Sequence, residues 1–187
     1  MAVGPTGVAS AVLNRPGTLG PMSGKRSRGD LPLLAASRVD AAAGAAAVAE
    51  LDAGLWRGFN LVVADASGAW FIRGKGEGRP DAVALAPGLH VVTAHDPNDL
   101  ESPRIARHLP RFRTAVPPGP AGWGGWPGLL GDRTGDAAQQ LDIEPRAGFG
   151  TVCSSLLALP AQGRPIWLFA AGRPHATPFL PVRMTSG

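Results

Sequence analysis

The sequence predicts an α+β fold in which two mostly antiparallel sheets pack face to face with helices outside them. Three observations carry that expectation. The strand patterns come as hairpins joined by tight turns, which disfavours parallel βαβ folding. The helix patterns fall between those hairpins rather than alternating with single strands. Several strands are apolar on both faces, as in Leu61-Val62-Val63 and Leu156-Leu157-Ala158. Such strands need cover on both sides, and a second sheet with outer helices supplies it.

The chain opens with Met1 to Val3, the turn Gly4-Pro5-Thr6-Gly7, and the apolar run Val8 to Leu13. This reads as the second half of a hairpin whose first strand is shorter than the roughly five or six residues usual for a strand. The expectation is therefore of a fold incomplete at its N-terminus. Asn14 to Asp30 is rich in Gly, Pro, Ser and basic residues and reads as a loop. Leu31 to Ser37 predicts one or two helical turns, with Pro32 suited to the first. Asp40 is an N-cap for an alanine-rich helix reaching about Leu51, with Val48, Leu51 and Leu55 on a compatible face. Gly44 weakens that helix by roughly 1 kcal/mol relative to alanine.

The clearest sheet signal follows. Phe59 to Ala64 is a strand, Asp65-Ala66-Ser67-Gly68 a turn, and Ala69 to Arg73 the returning strand. A glycine-rich loop, Gly74 to Pro80, leads to a strand around Ala82 to Leu85, and Pro87-Gly88 turns the chain into a further strand, Leu89 to Thr93. Ser102-Pro103 opens a helix through about Leu109, which Pro110 ends or kinks. Val116 to Gly131 reads as a Pro/Gly/Trp-rich loop, and Asp136 to Leu141 as a short helix. Phe149 to Leu159, the turn Pro160 to Arg164, and Pro165 to Ala170 make a second hairpin. Pro181 limits Phe179 to Val182 to an edge strand.

A length of 187 residues suits one domain with a hydrophobic core and is thin for two. The net charge of +4 is modest. Its densest groups, Lys25, Arg26 and Arg28, then Arg104, Arg107, Arg111 and Arg113, lack interleaved aromatics, so they read as solvated faces rather than a nucleic-acid surface. A single cysteine, Cys153, excludes an internal disulfide and fits a reducing compartment. No apolar run approaches the roughly 20 residues of a membrane span, and no signal core is evident. The expected location is cytoplasmic.

Gly74, Gly76 and Gly78 lack the GxGxxG spacing and a following helix, so they read as a hairpin loop rather than a phosphate cradle. His90, His95, His108 and His175 are scattered, and one cysteine cannot build a thiolate zinc site. His95, Asp96 and Asp99 are either polar groups in a cleft or a solvated loop. Cys153 reads as a small buried hydrophobe, since no activating base stands near it in sequence.

Four segments together resemble the NRDE family, also called the transport-and-Golgi-organisation family. They are Val8-Ala9-Ser10-Ala11-Val12-Leu13-Asn14, Ser27-Arg28-Gly29-Asp30-Leu31, Gly58-Phe59-Asn60-Leu61-Val62-Val63-Ala64-Asp65, and Gly148-Phe149-Gly150-Thr151. The block around Asn60 is the most specific. The family is similar to the N-terminal-nucleophile hydrolases, whose αββα sandwich agrees with the sheet-on-sheet expectation. The resemblance implies a cysteine amide or ester hydrolase working by acyl transfer, with an N-terminal cysteine as nucleophile and its own amine as base. This chain starts Met1-Ala2 and carries neither that cysteine nor the family's Asn-Arg-Asp-Glu and Gly-Gly-Thr-Trp segments. The expectation is a truncated chain that is inactive as it stands. The resemblance offers Asn14 as an oxyanion-hole donor, beside the alternative that it starts the turn Asn14-Arg15-Pro16-Gly17. Where relatives have Ser-Asn, this chain has Thr93-Ala94-His95-Asp96-Pro97-Asn98, which leaves His95 or Asn98 as the substrate-binding substitute. Asn60 is expected to satisfy backbone groups at its strand start. No metal or cofactor is implied; the expected partner is a small acyl substrate. The alternative is a non-catalytic carrier of heme or an acyl lipid on the same scaffold, and a basic interaction module is a third reading.

Overall fold

The computed structural model describes residues 1–183 and is an α+β structure with two antiparallel sheets. The first sheet contains β1 (Ala2–Val3), β2 (Ala9–Asn14), β3 (Phe59–Ala64), β4 (Ala69–Gly74) and β5 (Asp81–Leu85), side by side in chain order. Between β2 and β3 the chain forms α1 (Asp30–Ala36) and α2 (Ala41–Ala49). After β5 come α3 (Pro103–Thr114) and α4 (Trp126–Leu130), then a second sheet of β6 (Ser154–Ala158), β7 (Ile166–Ala170) and β8 (Leu180–Pro181).

Helices α1 and α2 cover one face of the larger sheet. Leu31, Ala35, Ala41, Ala45 and Val48 are buried with Val8, Phe59, Leu61, Val63 and Ile72 in one cluster. Alanine buries little area, but it lets a helix lie close to a sheet. Gly44 takes this further: a Cβ there would stand 2.8 Å from the Ala35 carbonyl and 3.1 Å from Val63 Cγ1. The residue that costs helix propensity is therefore a point where α2 comes close to both α1 and the sheet. Asp40 caps α2 as expected, accepting from the Ala43 amide. Leu55 departs from expectation: the helix stops before it, and it sits exposed on a separate 3₁₀ turn.

The β3–β4 hairpin follows the sequence reading closely. Asp65 fixes its turn by accepting from the Ser67 and Gly68 amides. The register pairs Asn60 with Arg73 and Leu13 with Asn60, so these three share the face turned away from α1 and α2.

Other expectations need correction. Leu89 to Thr93 forms no strand; Asn98 takes its ladder groups, with its amide donating to the Leu89 carbonyl and its carbonyl accepting from the Val91 amide. Pro110 lies inside α3, which continues to Thr114. Ser102 caps that helix, and Ile105, His108 and Leu109 form its buried side. The Trp-rich loop contains α4, whereas Asp136 to Leu141 is a turn held by the Asp136 carboxylate. In the second hairpin β6 begins only at Ser154, and Cys153 is exposed rather than buried. Pro181 does lie in a two-residue edge strand. No helix among the described residues is long and apolar enough to cross a membrane.

Candidate functional site

Strand alternation places a polar row at one end of the sheet face opposite α1 and α2. Asn60 on β3 is fully buried and spends its whole amide. Its Oδ1 accepts from Arg15 Nη1 at 2.6 Å, and its Nδ2 donates to the carbonyls of Thr93 at 2.9 Å and His95 at 2.8 Å. Asn60 thus clamps the 93–96 loop onto the sheet, which is the backbone role expected of it, with Arg15 as an added partner. With both N–H groups committed, it has no donor left for a substrate oxygen.

Asp96, on that clamped loop, bridges two guanidinium groups. Its Oδ1 receives Arg15 Nη1 at 2.7 Å and its Oδ2 receives Arg73 Nη1. Burial alone would raise the Asp96 pKa, but the Arg15 hydrogen bond and the charges of Arg73 and Arg15 outweigh it and hold the carboxyl below its ordinary value. Arg73 is shifted up, first through its bond to Asp81 at 3.1 Å, against the opposing effect of burial, and then through Asp96. The result is a fixed, largely self-neutralised cluster joining the ends of β2, β3 and β4.

His95 and Asp99 sit beside this cluster, half-buried, with His95 Nδ1 3.3 Å from Asp99 Oδ2. The 95–99 segment is therefore a folded wall of the site and not a solvated loop. Asn98 is close in sequence, and its side-chain amide bonds the Leu89 carbonyl and the Val91 amide, holding the turn. Asn14 is not brought to the cluster. It pairs with Phe59, a core residue beneath α1 and α2, while its neighbour Leu13 faces the opposite side. Asn14 therefore lies on the sheet face opposite this cluster.

An open, mainly apolar cleft of about 750 Å³ lies on the same sheet face, and no residue of the polar row lines it. Leu13, Val62 and Leu85 line its sheet side, Leu89 and Val92 the following segment, and Phe112 and Trp126 the wall made by α3 and α4. The two aromatic rings meet edge to face, with centroids 5.4 Å apart. A neighbouring recess of about 290 Å³ shares Phe112 and Trp126 and reaches Leu156 and Leu157 on β6. Two residues of the cleft neighbour the polar cluster: Leu13, paired with Asn60, and Val92, next to the clamped Thr93.

Two further ionic groups lie outside this site. Buried Asp142 accepts from Arg173 Nε at 2.7 Å and contacts His175 Nδ1. That carboxylate–imidazole pair resembles an acid–base dyad, but the outer nitrogen of His175 faces Arg133 Nη1 at 3.4 Å instead of a hydroxyl or thiol. Its evident work is to fasten the segment after β7 to the 132–142 loop. Asp132 pairs with Arg111 at 2.5 Å and binds the Thr134 amide and hydroxyl. Burial opposes ionisation there, but the Thr134 bonds and Arg111 prevail and bring its pKa to about 2. Beside it, His108 is buried, with Nε2 donating to the Gln139 carbonyl at 2.7 Å, and burial lowers its pKa.

Among the described residues no group of three or more His, Cys, Asp or Glu is placed to hold a metal ion. Sequence reasoning missed Arg15 and Arg73. The signal for Arg73 was available: the four-residue turn Asp65–Gly68 sets the β3–β4 register and hence the Asn60–Arg73 pair. Nothing local announces that Arg15, beyond the end of β2, turns back onto Asn60. No family model matches this chain, and no curated protein matches it.

Proposed function

We propose that this is an NRDE-type protein on an αββα scaffold of the N-terminal-nucleophile kind, built to hold an acyl amide or ester for acyl transfer. The cleft takes the acyl chain, and the Arg15–Asn60–Arg73–Asp96 cluster sits at the carbonyl end. The observation that carries this reading is an apolar cleft beside a preorganised polar cluster on one sheet face. The nucleophile on this reading is a thiol, and the one cysteine of the sequence is Cys153. Cys153 does not supply it, being exposed at the approach to β6. On this reading the chain binds acyl compounds without turning them over.

The test pairs binding with turnover. Octanamide, followed by calorimetry, binds saturably, and Val62→Asp or Trp126→Ala weakens it at least tenfold, while p-nitrophenyl octanoate is hydrolysed no faster than in buffer. Failure of octanamide to bind, or binding indifferent to both substitutions, removes the reading. A second reading, a heme or acyl-lipid carrier, is favoured by one specific observation: Asn14 faces away and both Asn60 donors are spent, so neither is a free oxyanion donor. Tight saturable binding of heme or of a long-chain acyl-CoA, lost in Val62→Asp, with octanamide inert, selects the carrier.

A further inference from the structure

The loop between β2 and α1 encloses a pocket of about 400 Å³ lined by four cations, Lys25, Arg26, Arg28 and Arg57, and by no carboxylate. Composition alone suggests solvated surface charge; the geometry differs. Arg28 Nη1 donates to the Thr18 carbonyl at 2.9 Å, the Thr18 hydroxyl at 3.1 Å and the Gly58 carbonyl at 3.0 Å. Arg57 donates to the carbonyls of Gly17 at 2.8 Å and Gly20 at 3.2 Å, and also to that of Leu19. Lys25 Nζ donates to the Gly54 carbonyl, and the Arg26 guanidinium lies 5.1 Å from the Trp56 ring centroid. Neutral acceptors therefore hold these cations in place without cancelling their charge. Among the described residues Asp30 is the one carboxylate paired with any of the four, meeting Arg26 at 3.3 Å at an exposed position. Like charges held together in this way repel; burial, and then the nearby Arg57 charge, push the Arg28 pKa down.

A guanidinium has five N–H donors in a fixed fork. The backbone bonds engage the terminal nitrogens of Arg28 and Arg57, and among the described residues neither Nε makes a bond. Fixed, uncompensated cations with donors to spare form a receptor for a compact, multiply charged oxyanion, because ordering entropy has already been lost and the ligand removes the repulsion. We propose that this pocket binds a phosphate-type dianion, with Arg28 and Arg57 as the forked donors and Lys25 and Arg26 supplying charge at the rim. It opens on the loop side of Gly58, and the inference is independent of any acyl ligand.

The test uses the full chain in low-salt buffer, with inorganic phosphate, pyrophosphate and citrate titrated calorimetrically. Pyrophosphate binds at one site, more tightly than phosphate and than citrate, and binding weakens steeply with added salt. Arg26→Gln weakens pyrophosphate about tenfold, and Arg26→Gln with Arg57→Gln weakens it further, as expected for losing charged donors. Arg79→Gln removes an equal charge from a surface pair with Glu50 and leaves affinity unchanged. Arg26 makes no side-chain bond to the backbone, so its single variant stays informative if the double variant is less stable. Absence of saturable pyrophosphate binding, an equal loss in Arg79→Gln, or tighter binding of citrate overturns the proposal.

Discussion

Replacing Asn60 by alanine tests the polar cluster most directly. The substitution removes two neutral bonds, to Thr93 and His95, and one from the charged Arg15. Neutral bonds contribute about 1 kcal/mol each and those to charged groups about 1.5–3 kcal/mol. Arg15 keeps Asp96, but the buried Thr93 carbonyl loses this partner, so the expected loss is about 4 kcal/mol. For a chain of this length that corresponds to a melting point lower by roughly 8–16 °C. Urea denaturation followed by circular dichroism gives the same quantity from the midpoint, provided the slope is unchanged. Asn60→Asp is the companion variant: it keeps the Arg15 contact but presents oxygen to two carbonyls, so it rescues little. A loss below about 1 kcal/mol in Asn60→Ala, within the range of ordinary surface substitutions, would refute the clamp.

Four other outcomes are expected. Asp132 has a folded pKa of about 2 against an ordinary 3.8, so its contribution is complete above about pH 5 and is lost as the pH falls through 2. Asp132→Asn should therefore cost about 2 kcal/mol at pH 7 and only about 0.4 kcal/mol at pH 2, read from denaturation curves at both values. Gly74→Ala brings a Cβ to 2.2 Å from the Phe59 ring and should lower stability by about 3 kcal/mol, measured by urea midpoint. Asn98 has a φ of 59°, so Asn98→Gly loses only the amide bonds, whereas Asn98→Ala also pays backbone strain and should melt lower by a few degrees. Cys153 should react fully with a disulfide dye in the native protein, without denaturant.

The parts legible in sequence were those with local causes. The β3–β4 hairpin combines an apolar strand pair with an Asp-led turn, and α2 begins at a capping aspartate, so both were placed nearly to the residue. The second sheet's hairpin was legible for the same reason. Where local preference and tertiary partners compete, the reading failed. Leu89 to Thr93 has strand-forming residues, but Asn98 supplies the bonds a neighbouring strand would have made. Proline at 110 removes one amide from α3, yet buried Leu109 and His108 hold the helix through it. At the candidate site the sequence left His95 between a polar cleft and a solvated loop, and the residues that organise the polar group are Asn60, Arg15 and Arg73. They converge from positions 45 and more residues apart or from adjacent strands, and only register brings them together. Asn14 pairs with Phe59, on the face of the sheet opposite that cluster.

Pro181 bears on a different property, the behaviour of the protein when crowded. The Val182 amide donates inward to the Trp167 carbonyl, so the alternation of strand groups turns the Pro181 backbone outward. At that outward position there is no N–H to offer, and a strand from another molecule stacking against β8 would lose a rung of its ladder. The pyrrolidine ring thus works as a stop against fibril growth from this edge, set beside the exposed Leu180, where sticky contacts would otherwise begin.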